Sequence, residues 1–215
     1  MCFLAPTLSF AECAAPAPIC DTYQQAKIVF LGEVIEVAAP KAAPHALRVL
    51  FRVTEGIKGV SGSHLTLAFA RSSEEFHFVK GQQVLVYARQ WRGYWFAGCT
   101  RTKEAIATDP EVAVVRGLSQ GQSGGFVYGE IWSPTTEIRS MAGIRLKLRR
   151  DGTPLVVETV TDVFGRFQFP WLTAGRYSLI VIGGDRYWDA ERSLDVKENS
   201  GCIAVQPFRL ELRQP

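Results

Sequence analysis

Apolar and polar residues alternate in short runs along most of this chain, and glycine, proline or small polar residues separate the runs. The clearest passage is Thr161 to Leu179. Arg166-Phe167-Gln168-Phe169 places both Phe rings on one face of a strand. Gly165 sits in the turn before it, Pro170 is expected to end it because proline cannot donate to a ladder, and Ala174-Gly175 turns the chain into Arg176-Tyr177-Ser178-Leu179, which alternates in the same sense. Similar runs occur at Phe126 to Trp132, Ile144 to Arg149, Leu155 to Val160, Leu179 to Ile182, Ser193 to Val196 and Ile203 to Leu212. In the second of these, Ile144, Leu146 and Leu148 point inward. Seven short strands with regular turn signals predict a β-sandwich.

The first half reads differently. Ile28 to Val37 starts as a continuous apolar run and ends in alternation, with Gly32 where a barrel strand bends. Leu47, Val49, Phe51 and Val53 share one face of a second strand, Leu47 to Ile57. Leu65 to Phe69, Gln82 to Ala88 and Tyr94 to Ala97 are three more. Asp109 then caps a helix that opens at Pro110 and carries Val112, Val115 and Leu118 at near-helical spacing. Five strands, glycines at the bends and a closing helix predict an OB-type barrel with a C-terminal helix. Before it, Cys13 to Cys20 (CAAPAPIC) reads as an extended, irregular arm. Between the halves, the polar and glycine-rich run SQGQSGG from Ser119 makes residues 119–124 a short flexible linker. The fold class is therefore all-β, in two domains.

Composition narrows the function more than it suggests one. With 47% hydrophobic and 11% aromatic residues, the 215-residue chain has enough apolar side chains for two cores. A net charge of +3, with Lys and Arg scattered, gives no footprint for nucleic acid. No apolar run reaches the ~18–20 residues of a membrane span. Met1 to Ala11 is apolar and ends Ser9-Phe10-Ala11, the small-x-small pattern of a signal-peptidase site, so residues 1–11 read as a truncated signal peptide and the product as extracytoplasmic, secreted or periplasmic. Removing Cys2 with that segment leaves Cys13, Cys20, Cys99 and Cys202, an even number compatible with disulfides.

Two resemblances sharpen the picture. Cys13-x6-Cys20, Tyr23 and Ala26-x-x-Val29-Phe30-x-Gly32-x-Val34 resemble the start of a netrin-like domain, the OB module of the tissue inhibitors of metalloproteinases and of many bacterial secreted proteins. Val53-Thr54-Glu55 to Lys58-Gly59, Phe78-x-x-Gly81-x-x-Val84-Leu85-Val86-Tyr87-Ala88 and Cys99-Thr100-Arg101-Thr102 extend the likeness over residues 12–118. It implies a Cys13–Cys99 disulfide, with Cys20–Cys99 as the other pairing; Cys202, outside that likeness, reads as a buried free thiol. It also raises protease inhibition through an arm at Cys13, Ala14 and Ala15. In that family a leading cysteine grips the catalytic zinc of the protease, whereas here the family's Cys-x-Cys reads Ala11-Glu12-Cys13. In the second half, Val127-x-Gly129-x-Ile131, Ile144-x-Leu146 and Thr161-Asp162-x-x-Gly165-x-Phe167-x-Phe169-x-x-Leu172-x-x-Gly175-x-Tyr177-x-Leu179 resemble the carboxypeptidase regulatory-like domain; the match covers residues 125–213, and the domain is placed at 125–215. That likeness implies a prealbumin-like sandwich, an accessory module rather than a peptidase.

Candidate chemistry is sparse. His45, His64 and His77 lie on three segments without ligand spacing, so no metal or other cofactor is expected. Glu74-Glu75 reads as a solvated turn. Gly121-x-Ser123-x-Gly125 matches the serine-hydrolase elbow but has no surrounding α/β pattern, and no catalytic residue is assigned. Cys202 has no evident partner in the sequence. Trp95 alternates with core positions, whereas Trp171 and Trp188 flank turns and are the candidate aromatic contacts. The reading is a non-catalytic secreted binding protein with an extracellular protein or glycan partner; the alternative is metalloproteinase inhibition through the arm around Cys13.

Overall fold

The computed structural model of the chain describes residues 17–41, 45–70, 75–98, 100–132 and 141–213. The chain divides into two compact units, Met1–Val112 and Ala113–Pro215.

The first unit contains α1 (Ile19–Gln25), β1 (Ile28–Ala38), β2 (Ala46–Lys58), β3 (His64–Ala70), β4 (Gln83–Trp91), β5 (Tyr94–Phe96) and β6 (Lys103–Glu104). Its strands pair in the order β1-β2-β3-β5-β4, and β4 pairs back onto β1, with Ile28 opposite Ala88 and Glu33 opposite Gln83. That closes a five-stranded barrel of OB type. Gly32 lies at a register shift of β1, and a Cβ there would meet the Arg52 carbonyl oxygen at 2.8 Å and the Phe30 ring at 3.3 Å. Glycine is what allows the two strands to approach so closely. Phe30, Phe51, Phe69 and Phe78 fill the interior, each at most 3% exposed and packed mainly edge to face, with ring centres 4.9–6.3 Å apart.

Two features were outside the sequence reading. The expected irregular arm becomes helical at its end, because Ile19 and Cys20 belong to α1 and are buried, and the Thr22 amide donates to the Pro18 carbonyl at 3.0 Å. Lys58, at the end of β2, holds the other end of α1 by donating to the carbonyls of Tyr23 at 2.6 Å and Gln24 at 3.3 Å. β6 has only two residues and extends the sheet beyond β4.

The helix α2 (Pro110–Gln120) opens as expected, the Asp109 carboxylate accepting the Glu111 amide at 2.8 Å. It carries the chain from the first unit into the second, which comprises β7 (Gly125–Trp132), β8 (Arg145–Arg150), β9 (Val156–Val160), β10 (Arg166–Leu172), β11 (Gly175–Ile182), β12 (Ala190–Val196) and β13 (Gly201–Arg209). These seven strands form two sheets, β10-β7-β13 and β12-β11-β8-β9. Their inward residues make one core around Val127, Leu146, Leu148, Phe167, Phe169, Tyr177, Leu179 and Val181. The alternation along β8 and β11 therefore reports the sandwich interior directly.

Pro170 does not end its strand. β10 continues through it to Leu172 because it is an edge strand, and its register with β7 shifts between Gln168 and Trp171, so no ladder N–H is required there. Gly165 has φ +76° in the preceding turn and a Cβ on it would run into the Ile131 carbonyl oxygen, which makes glycine the residue this turn requires. At the next corner the Tyr177 hydroxyl donates to the Thr173 carbonyl at 2.8 Å, tying β11 to the segment that leaves β10.

Candidate functional site

The loop after β11 decides which side chain reaches the surface. In the β11–β12 loop, Gly183-Gly184-Asp185-Arg186-Tyr187-Trp188-Asp189, Tyr187 turns inward at 5% exposure and joins the sandwich core, so its neighbour Trp188 faces out at 56%. The loop is held from several sides. The Trp188 amide donates to the Glu211 carbonyl at 2.9 Å, and the Arg213 amide donates to Arg186 at 2.9 Å. The Gly183 amide donates to the Asp189 carboxylate at 2.9 Å. The Arg213 guanidinium lies 4.9 Å from the Trp188 ring centre and donates through Nε to the Tyr187 carbonyl at 2.9 Å. A tryptophan fixed at both its own backbone and its ring loses little further freedom on binding, which is what a preorganised contact needs.

Beside this loop the surface is concave. A hollow of about 340 Å³ is lined by residues 142–145 and 182–187, among them Arg145, Asp185 and Arg186, all exposed. The loop thus carries an exposed indole at Trp188 and, in the residues just before it, part of the lining of a polar hollow, which pairs an apolar ring face with hydrogen-bonding groups on one loop.

The other residues singled out in the sequence fare differently. Trp171 is half-buried; its indole N–H donates to the Ser123 carbonyl at 3.0 Å and its ring packs beside Gly117 of α2. Trp95 is half-buried against the barrel core. Cys13, Ala14, Ala15 and Cys99 lie outside the described residues, as does the segment 1–11. Cys20 and Cys202 are both disulfide-bonded, so Cys202 is not the free buried thiol expected of it. Its partnership depends on chain folding that no local spacing reports. Gln120 ends a helix and Gly125 begins a strand, so the Gly121-x-Ser123-x-Gly125 run lies between helix and strand, the reverse of the strand–turn–helix order of a nucleophile elbow. His45 meets Tyr94, its Nε2 2.8 Å from the hydroxyl, and His64 Nδ1 lies 3.2 Å from the Ser63 hydroxyl. Among the described residues no group of His, Cys, Asp and Glu is placed to hold a metal ion, and no helix is long and apolar enough to cross a membrane.

Three arrangements escaped the sequence reading. Glu75 is not a solvated turn residue. Its Oε1 accepts the Ala97 amide at 2.6 Å while Oε2 is buried without a hydrogen-bond partner among the described residues, and burial raises its pKa against the opposing pull of the backbone amides and Arg89. On the barrel wall, Glu111 at 5% exposure accepts the Tyr87 hydroxyl at 2.8 Å and both ends of the Arg101 fork at 2.7 and 2.8 Å. Burial and the Glu111 charge hold the Tyr87 hydroxyl well above the usual range; for Arg101 burial opposes the charge, but Glu111 outweighs it. Lys103 adds contacts to Asp109 at 3.0 Å and Glu111 at 3.2 Å. This cluster fastens the start of α2 to β4 and takes up its own polar groups, which marks it as architectural. Finally, Trp91 and Trp132 are exposed at 60% and 45%, and each lies under an arginine, Arg92 at 4.4 Å and Arg209 at 5.6 Å.

No protein-family model matches the chain, and a comparison with curated proteins finds no match. Among solved structures, a Bacteroides uniformis protein named for carbohydrate binding matches with 19% identity over 40% of this chain and 40% of its own, at a TM-score of 0.32. The minor pilin of Streptococcus agalactiae matches with 10% identity over 88% and 84%, at 0.36. The major pilin subunit of Bacillus cereus matches with 9% identity over 90% and 61%, at 0.34. The chain thus spans well under half of the first of these proteins, and the functional reading rests on the side chains.

Proposed function

We propose that this chain is a non-catalytic, extracytoplasmic binding protein whose sandwich unit contacts glycans through Trp188. It comprises a netrin-like module over residues 12–118, a linker at 119–124 whose first two residues continue α2, and a carboxypeptidase regulatory-like module over 125–215. The observation that carries the binding assignment is the Trp188 platform: an exposed indole, fixed by its own amide bond to the Glu211 carbonyl and by Arg213, on the loop that also lines a polar hollow. The disulfide-bonded Cys20 and Cys202 support an oxidising compartment.

Stacking a sugar ring on half of the exposed indole surface covers about 70 Å², worth about 1.8 kcal/mol, or about 20-fold in affinity. Glycan-array screening of the full chain followed by titration of the best ligand tests this. Trp188→Ala lowers that affinity about 20-fold if the reading is right. A bound glycan whose affinity is unchanged in Trp188→Ala removes the assignment.

A further inference from the structure

We infer that the glycan taken by the Trp188 loop is acidic, its sugar ring bearing a carboxylate, an inference that rests on the glycan-binding reading of the same site. The hollow is lined by two guanidinium groups, Arg145 and Arg186, both exposed and without an ion pair among the described residues. A third, Arg213, lies over Trp188 and donates through Nε to the Tyr187 carbonyl. Three acidic residues share the neighbourhood, Asp185, Asp189 and Glu211, whose carbonyl accepts the Trp188 amide. Asp189 accepts the Gly183 amide, and Asp185 lines the hollow with the two arginines. The lining of the hollow itself holds two arginines and one aspartate, so its local charge is positive. Neutral sugars present hydroxyls that use carboxylate and amide acceptors as readily as donors. A ring with a planar carboxylate instead matches the fork of a guanidinium, while its C–H face still stacks on the indole.

Uronic-acid polymers test this because their charge can be removed without altering the ring. The full chain is titrated with polygalacturonate, with the same polymer methyl-esterified, and with neutral galactan, at low and high salt. The acid form binds about tenfold tighter than the ester at low salt, and the preference shrinks as salt screens it. Arg145→Gln and Arg186→Gln each reduce that preference, and Trp188→Ala weakens both forms alike. Equal affinity for acid and ester in the wild-type protein overturns the inference while leaving the glycan reading intact, and needs no variant to fold. Binding of none of the three polymers overturns the inference. Competition by polyglutamate as strong as by polygalacturonate also overturns it, since the site would then read charge on a peptide. Failure of the glycan reading itself shows separately, as a glycan affinity indifferent to Trp188→Ala.

Discussion

Replacing Glu111 by glutamine keeps the size of a buried side chain and removes the charge that three others share. Glu111 is 5% exposed and bonded to Tyr87, Arg101 and Lys103. The glutamine retains one acceptor oxygen but turns an NH₂ toward the donors, so the Arg101 guanidinium, its side chain 21% exposed, loses its counter-charge in a largely dry setting. Breaking a buried pair from one side costs about 3–5 kcal/mol, and the partial exposure of Arg101 places this case near the lower end, about 3 kcal/mol. With a urea dependence of about 2 kcal/mol per molar, the barrel midpoint falls by about 1.5 M. Hydrogen exchange in urea reads the two units separately, through the β4 amides of Val84 and Val86 in the barrel and the β8 amides of Leu146 and Leu148 in the sandwich. The barrel amides lose protection at lower urea in Glu111→Gln. Tyr87→Phe, which removes one donor and leaves the Arg101 pair in place, costs about 1–2 kcal/mol. Arg149→Ala, at an exposed 3.9 Å contact with Glu191, is the reference for a surface charge. If Glu111→Gln shifts the barrel no more than Arg149→Ala shifts the sandwich, the cluster does not hold α2 to the barrel and the reasoning is wrong.

Two further perturbations follow from the same geometry. Gly165→Ala forces φ +76° on an alanine and drives its Cβ toward the Ile131 carbonyl oxygen and Met141, costing about 2–3 kcal/mol; thermal unfolding of the sandwich is expected about 10–15 °C lower, and an unchanged melting point would refute the turn assignment. For Glu75, burial raises the folded-state pKa, so its contribution to stability is fully present below the unfolded value near 4 and is lost as pH rises through the raised folded value. Glu75→Gln removes that dependence: relative to the variant, wild type loses stability as pH rises from the unfolded value near 4 through the raised folded value, and urea midpoints on either side of that window that differ equally for both proteins would contradict it.

Period-2 alternation located the strands of the sandwich and nearly all of those of the barrel, and glycines at Gly32 and Gly165 marked real geometric demands. Asp109-Pro110 marked the helix start. Each of these is a property of a few consecutive residues, set by side-chain direction, backbone dihedral or a missing donor, and so it can be read locally. The two-residue β6 is too short to show a period. α1 has Pro18 before it and no side-chain cap to announce it.

What the tertiary structure decided is which distant groups meet. Closure of β1 on β4, the parallel pairing of β13 with β7, the burial of Glu75, and the bond from Tyr87 to Glu111, 24 residues away, depend on contacts that no window of sequence contains. The tryptophans show the same division. Both Trp171 and Trp188 lie beside turns in the sequence. Packing against Gly117 half-buries the first, whereas the inward anchor of Tyr187 leaves the second in water. Alternation fixes the side of the strand on which a ring lies; whether that side meets another element or solvent is settled only when the layers assemble.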